Sequence, residues 1–142
     1  MTTTQLLGDS LRVFGCLHLV QVPAMVVMSR MLGWRADLAK LTDLNRRIVA
    51  VIGLAIVIVM CGLGVVVMAA ADELARGGRL AASVTAFLAV FLGYRAAVQW
   101  LVYGPLWSSS RRGKASHRAL GILFSLQALA YATACVHAAF ER

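Results

Sequence analysis

Apolar positions in this chain do not alternate with polar ones; they run together. From Ile48 to Ala71, 24 consecutive residues carry no charged, hydroxyl or amide side chain. At 1.5 Å of rise per residue that is enough helix to cross a hydrocarbon layer ~30 Å thick. Three further apolar stretches, about Leu11 to Met28, Leu80 to Tyr103 and Ala119 to Phe140, accompany it. The pattern predicts an all-α protein, an integral membrane four-helix bundle in which residues 1–142 form a single transmembrane domain. The longest connection, Ser29 to Arg47, leaves no room for a separate soluble domain.

That connection has a pattern of its own. Trp34, Leu38, Leu41 and Leu44 recur at helical spacing with Arg35, Asp37, Lys40 and Asp43 between them, which predicts a short amphipathic helix along the membrane interface. Asp43 is placed to cap the second span. Asp72 to Arg79 contains Gly77 and Gly78 and reads as a tight reversal that makes spans two and three antiparallel neighbours. Trp100, Tyr103 and Trp107 crowd one end of span three as an interfacial aromatic belt, and Gly104 with Pro105 ends the helix there. Met1 to Gln5 holds no basic cluster and no small-x-small cleavage motif follows the first stretch, so that helix reads as a retained anchor.

Charge changes the picture less than its size suggests. Only 14% of the residues are charged, against about 25% in soluble domains. A net charge of +8 in a soluble protein would point to nucleic acid, but here the cations sit in short loops beside spans, so no nucleic-acid partner is expected. The loops Ser29 to Arg47 and Gly104 to Arg118 hold nine of the basic residues, and the opposite side holds four: Arg12, Arg76, Arg79 and Arg142. This bias predicts both loops in the cytoplasm and both termini outward, in a membrane of the bacterial inner (plasma) type. Ser108 to Lys114 lacks the spacing of a P-loop and reads as a basic loop against anionic lipid. Cys16, Cys61 and Cys135 fall inside spans without the spacing of a zinc site or a disulfide framework, so no metal is expected and all three read as packing residues.

Polar residues inside the spans are the candidates for function, because in lipid each of them is costly. His18 and Gln21 share a face of span one, and Pro23 leaves the carbonyl of Leu19 without its helical donor beside them. Span three carries Arg95, with Gln99 and Tyr103 following at intervals of four. An arginine near mid-bilayer costs at least ~2.5 kcal/mol, so it must snorkel to the cytoplasmic headgroups, pair or face water, and no span supplies a carboxylate for it. Span four adds Gln127 and Tyr131 on one face. Counted from the span midpoints, His18, Gln21, Arg95, Gln127 and Tyr131 occupy one slab about 10 Å thick, which predicts a shared polar core. On the opposite side of span three, Ala89, Gly93 and Ala97 form a small-residue ridge that predicts close packing against another helix. Cover on both sides of span three favours a homo-oligomer or a larger membrane complex.

Two functions from different classes fit. One is a ligand- or lipid-binding bundle in which Arg95 engages an anionic group, with His18, Gln21, Gln99, Gln127 and Tyr131 lining the site. The other is a non-enzymatic accessory subunit whose polar residues fix helix register. A haem protein held by His18 and His137 is not favoured, because the two lie at different depths and Glu141 offers His137 a partner four residues on. His117 reads as a headgroup contact among Lys114 and Arg118. Proton-coupled transport lacks an intramembrane acid. No catalytic residue is legible, since neither Ser10 nor Cys16 has a readable base beside it.

Overall fold

Thr2 opens the first helix with a reciprocal cap. Its Oγ1 accepts the N–H of Gln5 at 3.3 Å while Gln5 Oε1 accepts the N–H of Thr2 at 2.9 Å, so two amides that a helix start leaves unsatisfied are both bonded. In this computed structural model, which describes residues 2–104 and 111–140, helix α1 then runs from Thr3 to Met31 with Pro23 inside it. A short helix α2 spans Trp34–Leu38. The amphipathic element is therefore briefer than its pattern suggested: Leu41 falls in the turn that follows and Leu44 in the next helix. In α2 the Asp37 carboxylate accepts a hydrogen bond from Lys40 at 2.8 Å, which together with its charge raises the Lys40 pKa.

Helix α3 covers Asp43–Ala69. Its cap is Thr42 rather than Asp43, because Thr42 Oγ1 accepts the N–H of Asn45 at 3.4 Å and the Thr42 carbonyl accepts the N–H of Arg46 at 2.9 Å. Asp43 sits one residue further in, where its charge favours the helix start and pairs with Arg46. Helix α4, Ala71–Arg76, ends at Gly77 and Gly78. Their φ values of 88° and 98° lie in the region that suits glycine, and the reversal starts helix α5, Arg79–Ala97. From Val98 to Tyr103 the same helix continues as a π-helical segment. Helix α6 spans Arg111–Phe140. Pro105 and Trp107, assigned above to the end of span three and its aromatic belt, lie outside the described residues.

Four of these stretches, Thr3–Met31, Asp43–Ala69, Arg79–Tyr103 and Gly113–Phe140, are long and apolar enough to cross a membrane. The fold class is all-α, as a four-helix membrane bundle requires. The contacts divide into two compact units, one formed by Met1–Leu11 with Ala70–Arg142 and the other by Arg12–Ala69.

Within Arg12–Ala69, α1 meets α3 at two glycines. A Cβ on Gly64 would stand 2.9 Å from the carbonyl oxygen of Gly15 and 2.9 Å from Leu19, and one on Gly15 would stand 3.0 Å from the carbonyl oxygen of Gly64. The two backbones touch there because neither carries a side chain. Cys16 Sγ lies 3.6 Å from Met68 Sδ beside the crossing. Away from it α3 is apolar and exposed, with Val51, Leu54 and Ile58 each more than half accessible. In water such a surface would signal a binding face, but on a membrane span it is what lipid covers.

In the other unit, α5 and α6 bury one stripe each. Ala81, Thr85, Leu88, Leu92, Ala96 and Gln99 face inward from α5, and Gly121, Phe124, Gln127, Tyr131, Ala134 and Ala138 from α6. Spacings of three and four keep each set on a single helical face. The pair is antiparallel: the N–H of Gly78 donates to the carbonyl of Ala138 at 3.2 Å, and Gln99 bonds His117 at the other end. As many residues separate Gly78 from Gln99 as separate His117 from Ala138, so one register holds along the whole seam. The small-residue ridge is on the other side of α5. A Cβ on Gly93 would meet nothing within 4 Å, so the packing proposed for Ala89, Gly93 and Ala97 has no counterpart at Gly93 within the described chain.

Candidate functional site

The α5–α6 seam is polar at intervals along its length. Thr85 satisfies itself, donating to the carbonyl of Ala81 at 2.7 Å one turn back, as a buried threonine in a helix does. Tyr131, completely buried, falls at the level of Thr85 in the common register. Gln127 is equally inaccessible one turn earlier on α6, and both side chains take part in contacts.

Arg95 lies on the half-buried flank of this seam. Its guanidinium carbon is 5.2 Å from the centre of the Phe124 ring, within the range of a cation–π contact. Among the described residues it has no hydrogen bond or ion pair. At this half-exposed position the contact returns about 0.5–1 kcal/mol, reaching about 2 kcal/mol or more only where it is desolvated, whereas a charge near the centre of a span costs at least ~2.5 kcal/mol. Phe124 alone therefore leaves the arginine short of a partner. No carboxylate on these helices can supply one, because the sequence holds no Asp or Glu from Leu74 to Phe140.

One turn beyond Arg95, the chain enters the π-helical segment, and a second cluster forms that the sequence did not reveal. Gln99, almost fully buried, places Nε2 2.8 Å from Nδ1 of His117 and 3.4 Å from the His117 carbonyl oxygen. Nε2 is the amide nitrogen, since the reverse assignment would set the Gln99 oxygen against that carbonyl. Both amide hydrogens are thus donated to one residue, and Nδ1 of His117 is an acceptor, which puts the ring proton of the neutral form on Nε2. The Trp100 ring meets His117 edge-on with centroids 5.5 Å apart. It also lies over Gly121, where a Cβ would stand 2.5 Å from the indole. Its Nε1–H donates to Ser125 Oγ at 3.3 Å, and that hydroxyl donates to the Gly121 carbonyl at 2.8 Å. On the far side of the imidazole, a Cβ on Gly104 would come 3.6 Å from Nε2.

Through Gln99, His117 anchors the end of α5 to the first turns of α6. A histidine eighteen residues from its glutamine gives no periodic signal. The one clue legible in the sequence was Gly121, a glycine inside an otherwise helical span.

His18 and Gln21 are buried on α1 in the Arg12–Ala69 unit, and each takes part in a contact. His137 is on α6 in the other unit, with a buried Nε2 that finds no hydrogen-bond partner among the described residues. Glu141, the partner expected for it, lies outside the described residues. Among the described residues no three His, Cys, Asp or Glu side chains are grouped as a metal site.

Four apolar helices with this burial pattern define a small polytopic membrane protein. Compared with protein-family models, curated proteins and solved structures, the chain matches none.

Proposed function

We propose that this membrane protein binds an anionic small molecule or lipid headgroup against the α5–α6 pair, with Arg95 as the attracting charge and Gln127 and Tyr131 as the polar groups that orient it, while Gln99, whose amide hydrogens go to His117, holds the end of the seam. The observation that carries this reading is the arginine itself: a cation on a membrane span, over an aromatic ring that does not offset its cost, on two helices without an acidic residue. A carboxylate or phosphate supplied from outside completes it, and the forked guanidinium suits either in bidentate form. His18 and Gln21, buried on α1, are further candidate lining residues in this reading.

Native mass spectrometry of the purified chain tests this. Wild type should retain a bound anion or lipid, and Arg95→Gln should lose it while still inserting. Arg95→Lys should retain less than wild type, since the charge remains but the fork does not. Equal retention by Arg95→Gln would sink the reading.

A second reading, an accessory subunit or homo-oligomer, is favoured by one observation: the open space beside Gly93. If Ala89, Gly93 and Ala97 seat a helix of another chain, Gly93→Leu should dissociate the assembly in detergent and in lipid without unfolding the protomer. Unchanged size counts against it.

The orientation we propose, with both termini outward in a bacterial inner membrane, follows from the nine-to-four bias of basic residues. A phosphatase that works only outside the cytoplasm should be active when fused after Arg142 and inactive when inserted at Gly113. The reverse pattern would invert the topology.

A further inference from the structure

We propose that the start of α6 is a docking site for an anionic phospholipid, separate from Arg95 and independent of it. Arg111 and Lys114, read from the sequence as part of a basic loop, lie in the first turn of this helix, and Arg118 follows one turn on. All three are exposed, and intervals of three and four put them on one side. Among the described residues none of them has an ion pair or a side-chain hydrogen bond. The first turn of α6 also holds no acid, in contrast with α3, where Asp43 pairs with Arg46. Cations at this end of a helix run against its dipole, so the face gains from an anion that its own helices do not supply. No Asp or Glu occurs from Leu74 to Phe140, and Asp72 and Glu73 belong to α4, at the other end of the pair, where Gly78 meets Ala138.

Beyond Arg118 the same side of α6 turns apolar. Ile122, Leu129, Val136 and Phe140 are each at least half accessible, and together with the three cations they stay within about 80° around the helix. From Ile122 to Phe140 the rise is about 27 Å, close to the ~30 Å of a hydrocarbon core. Thr133, beside this line, gives its hydroxyl hydrogen to the Leu129 carbonyl at 2.9 Å and so asks nothing of the lipid. In the register set by Gly78 with Ala138 and Gln99 with His117, Trp100 and Tyr103 fall near the level of Ser116 and Gly113, and interfacial aromatics mark headgroup depth. A lipid lying along this side therefore has its chains against Ile122 and Leu129 and its phosphate among Lys114, Arg118 and Arg111. A soluble anion would use the cations and leave the stripe uncovered, whereas a zwitterionic lipid would cover the stripe and bring a cation of its own to the other three.

Trp100 stands at the edge of the stripe, over Gly121 and bonded to Ser125, so its emission reports which lipid is there. With Trp34 and Trp107 replaced by phenylalanine it is the one tryptophan of the full-length chain. Bromine on an acyl chain quenches indole on contact. In phosphatidylcholine nanodiscs, brominated phosphatidylglycerol should quench Trp100 more than the same mole fraction of brominated phosphatidylcholine, and high salt should narrow the difference. Both leaflets are present, so the result does not depend on which way the protein is inserted. Arg111→Gln, Lys114→Gln and Arg118→Gln should each lower the preference by up to about fivefold, the share of one basic residue at an anionic surface, and the triple substitution should abolish it. Arg111→Lys with Arg118→Lys should keep it. Equal quenching by the two lipids, or a preference that survives the triple substitution, overturns the site. So does relief by inorganic phosphate beyond that of sodium chloride at the same ionic strength, which would make the ligand a soluble anion. A preference lost in Arg95→Gln and kept in the triple variant belongs to Arg95 and overturns this site, while one lost in the triple variant and kept in Arg95→Gln leaves it standing whatever becomes of the Arg95 reading.

Discussion

Gly64→Ile should destabilise the α1–α3 crossing by about 3 kcal/mol, the upper end of what overpacking costs. The reason is what the new side chain would strike. At Gly64 it would meet the carbonyl oxygen of Gly15 at 2.9 Å, which is backbone and cannot rotate aside, and Leu19 Cδ2 at the same distance. Unfolding in bicelles or mixed micelles gives the measurement, and the comparison is internal to α3. Gly62→Ile and Gly53→Ile add the same side chain where nothing lies within 4 Å, and they should hold or gain stability because glycine is a poor helix former. If Gly64→Ile is as stable as Gly62→Ile, the close crossing does not exist.

The second large effect is expected at Gly121. Gly121→Ala adds one methyl group, which by helix propensity alone should stabilise α6 by about 1 kcal/mol. Its Cβ would come within 2.5 Å of two atoms of the Trp100 indole, a rigid ring already fixed by Ser125 and His117. Trp100 has to swing out, losing its hydrogen bond and its contact with the imidazole. A net loss of about 1–3 kcal/mol follows, with a red shift of Trp100 emission as the ring meets a more polar surrounding. Trp100→Leu should rescue much of the loss in the Gly121→Ala background, and a double-mutant cycle should give a coupling of about 0.5–3 kcal/mol. Additive single effects would show that the two positions do not touch.

How much of this was legible beforehand depends on whether a feature repeats along one helix. The four spans were, because a continuous apolar run of membrane length would be insoluble as anything but a span or a deeply buried core helix, and a chain this short cannot bury four of the latter. Gln99, Gln127 and Tyr131 stood out because polar groups in lipid are conspicuous, and the structure buries all three on the α5–α6 seam. The Gly15–Gly64 contact was invisible: Gly8 shares the face of Gly15 and Gly53 that of Gly64, and only the fold shows which glycine of each helix meets the other. Ala89, Gly93 and Ala97 repeat regularly, yet periodicity reveals a face without saying what covers it. The cap at Thr42 rather than Asp43 turns on where the helix begins, and both residues are competent caps. His117 was read from its basic neighbours, whereas its position is set by a glutamine on the preceding helix.

The π-helical segment has a meaning for how the length of this chain is free to vary. A turn closed by i→i+5 bonds holds one residue more than a regular turn, so Val98–Tyr103 is where α5 carries a surplus residue. A homologue one residue shorter within this segment should close an ordinary α-turn and keep Arg95 and Gly104 on the faces they occupy here. The same deletion anywhere in Arg79–Ala97 would rotate everything beyond it by about 100° relative to everything before it, parting Gln99 from His117 or Gly78 from Ala138. Gaps in descendants of this sequence should therefore gather in the six residues from Val98 to Tyr103 and spare the helix before them.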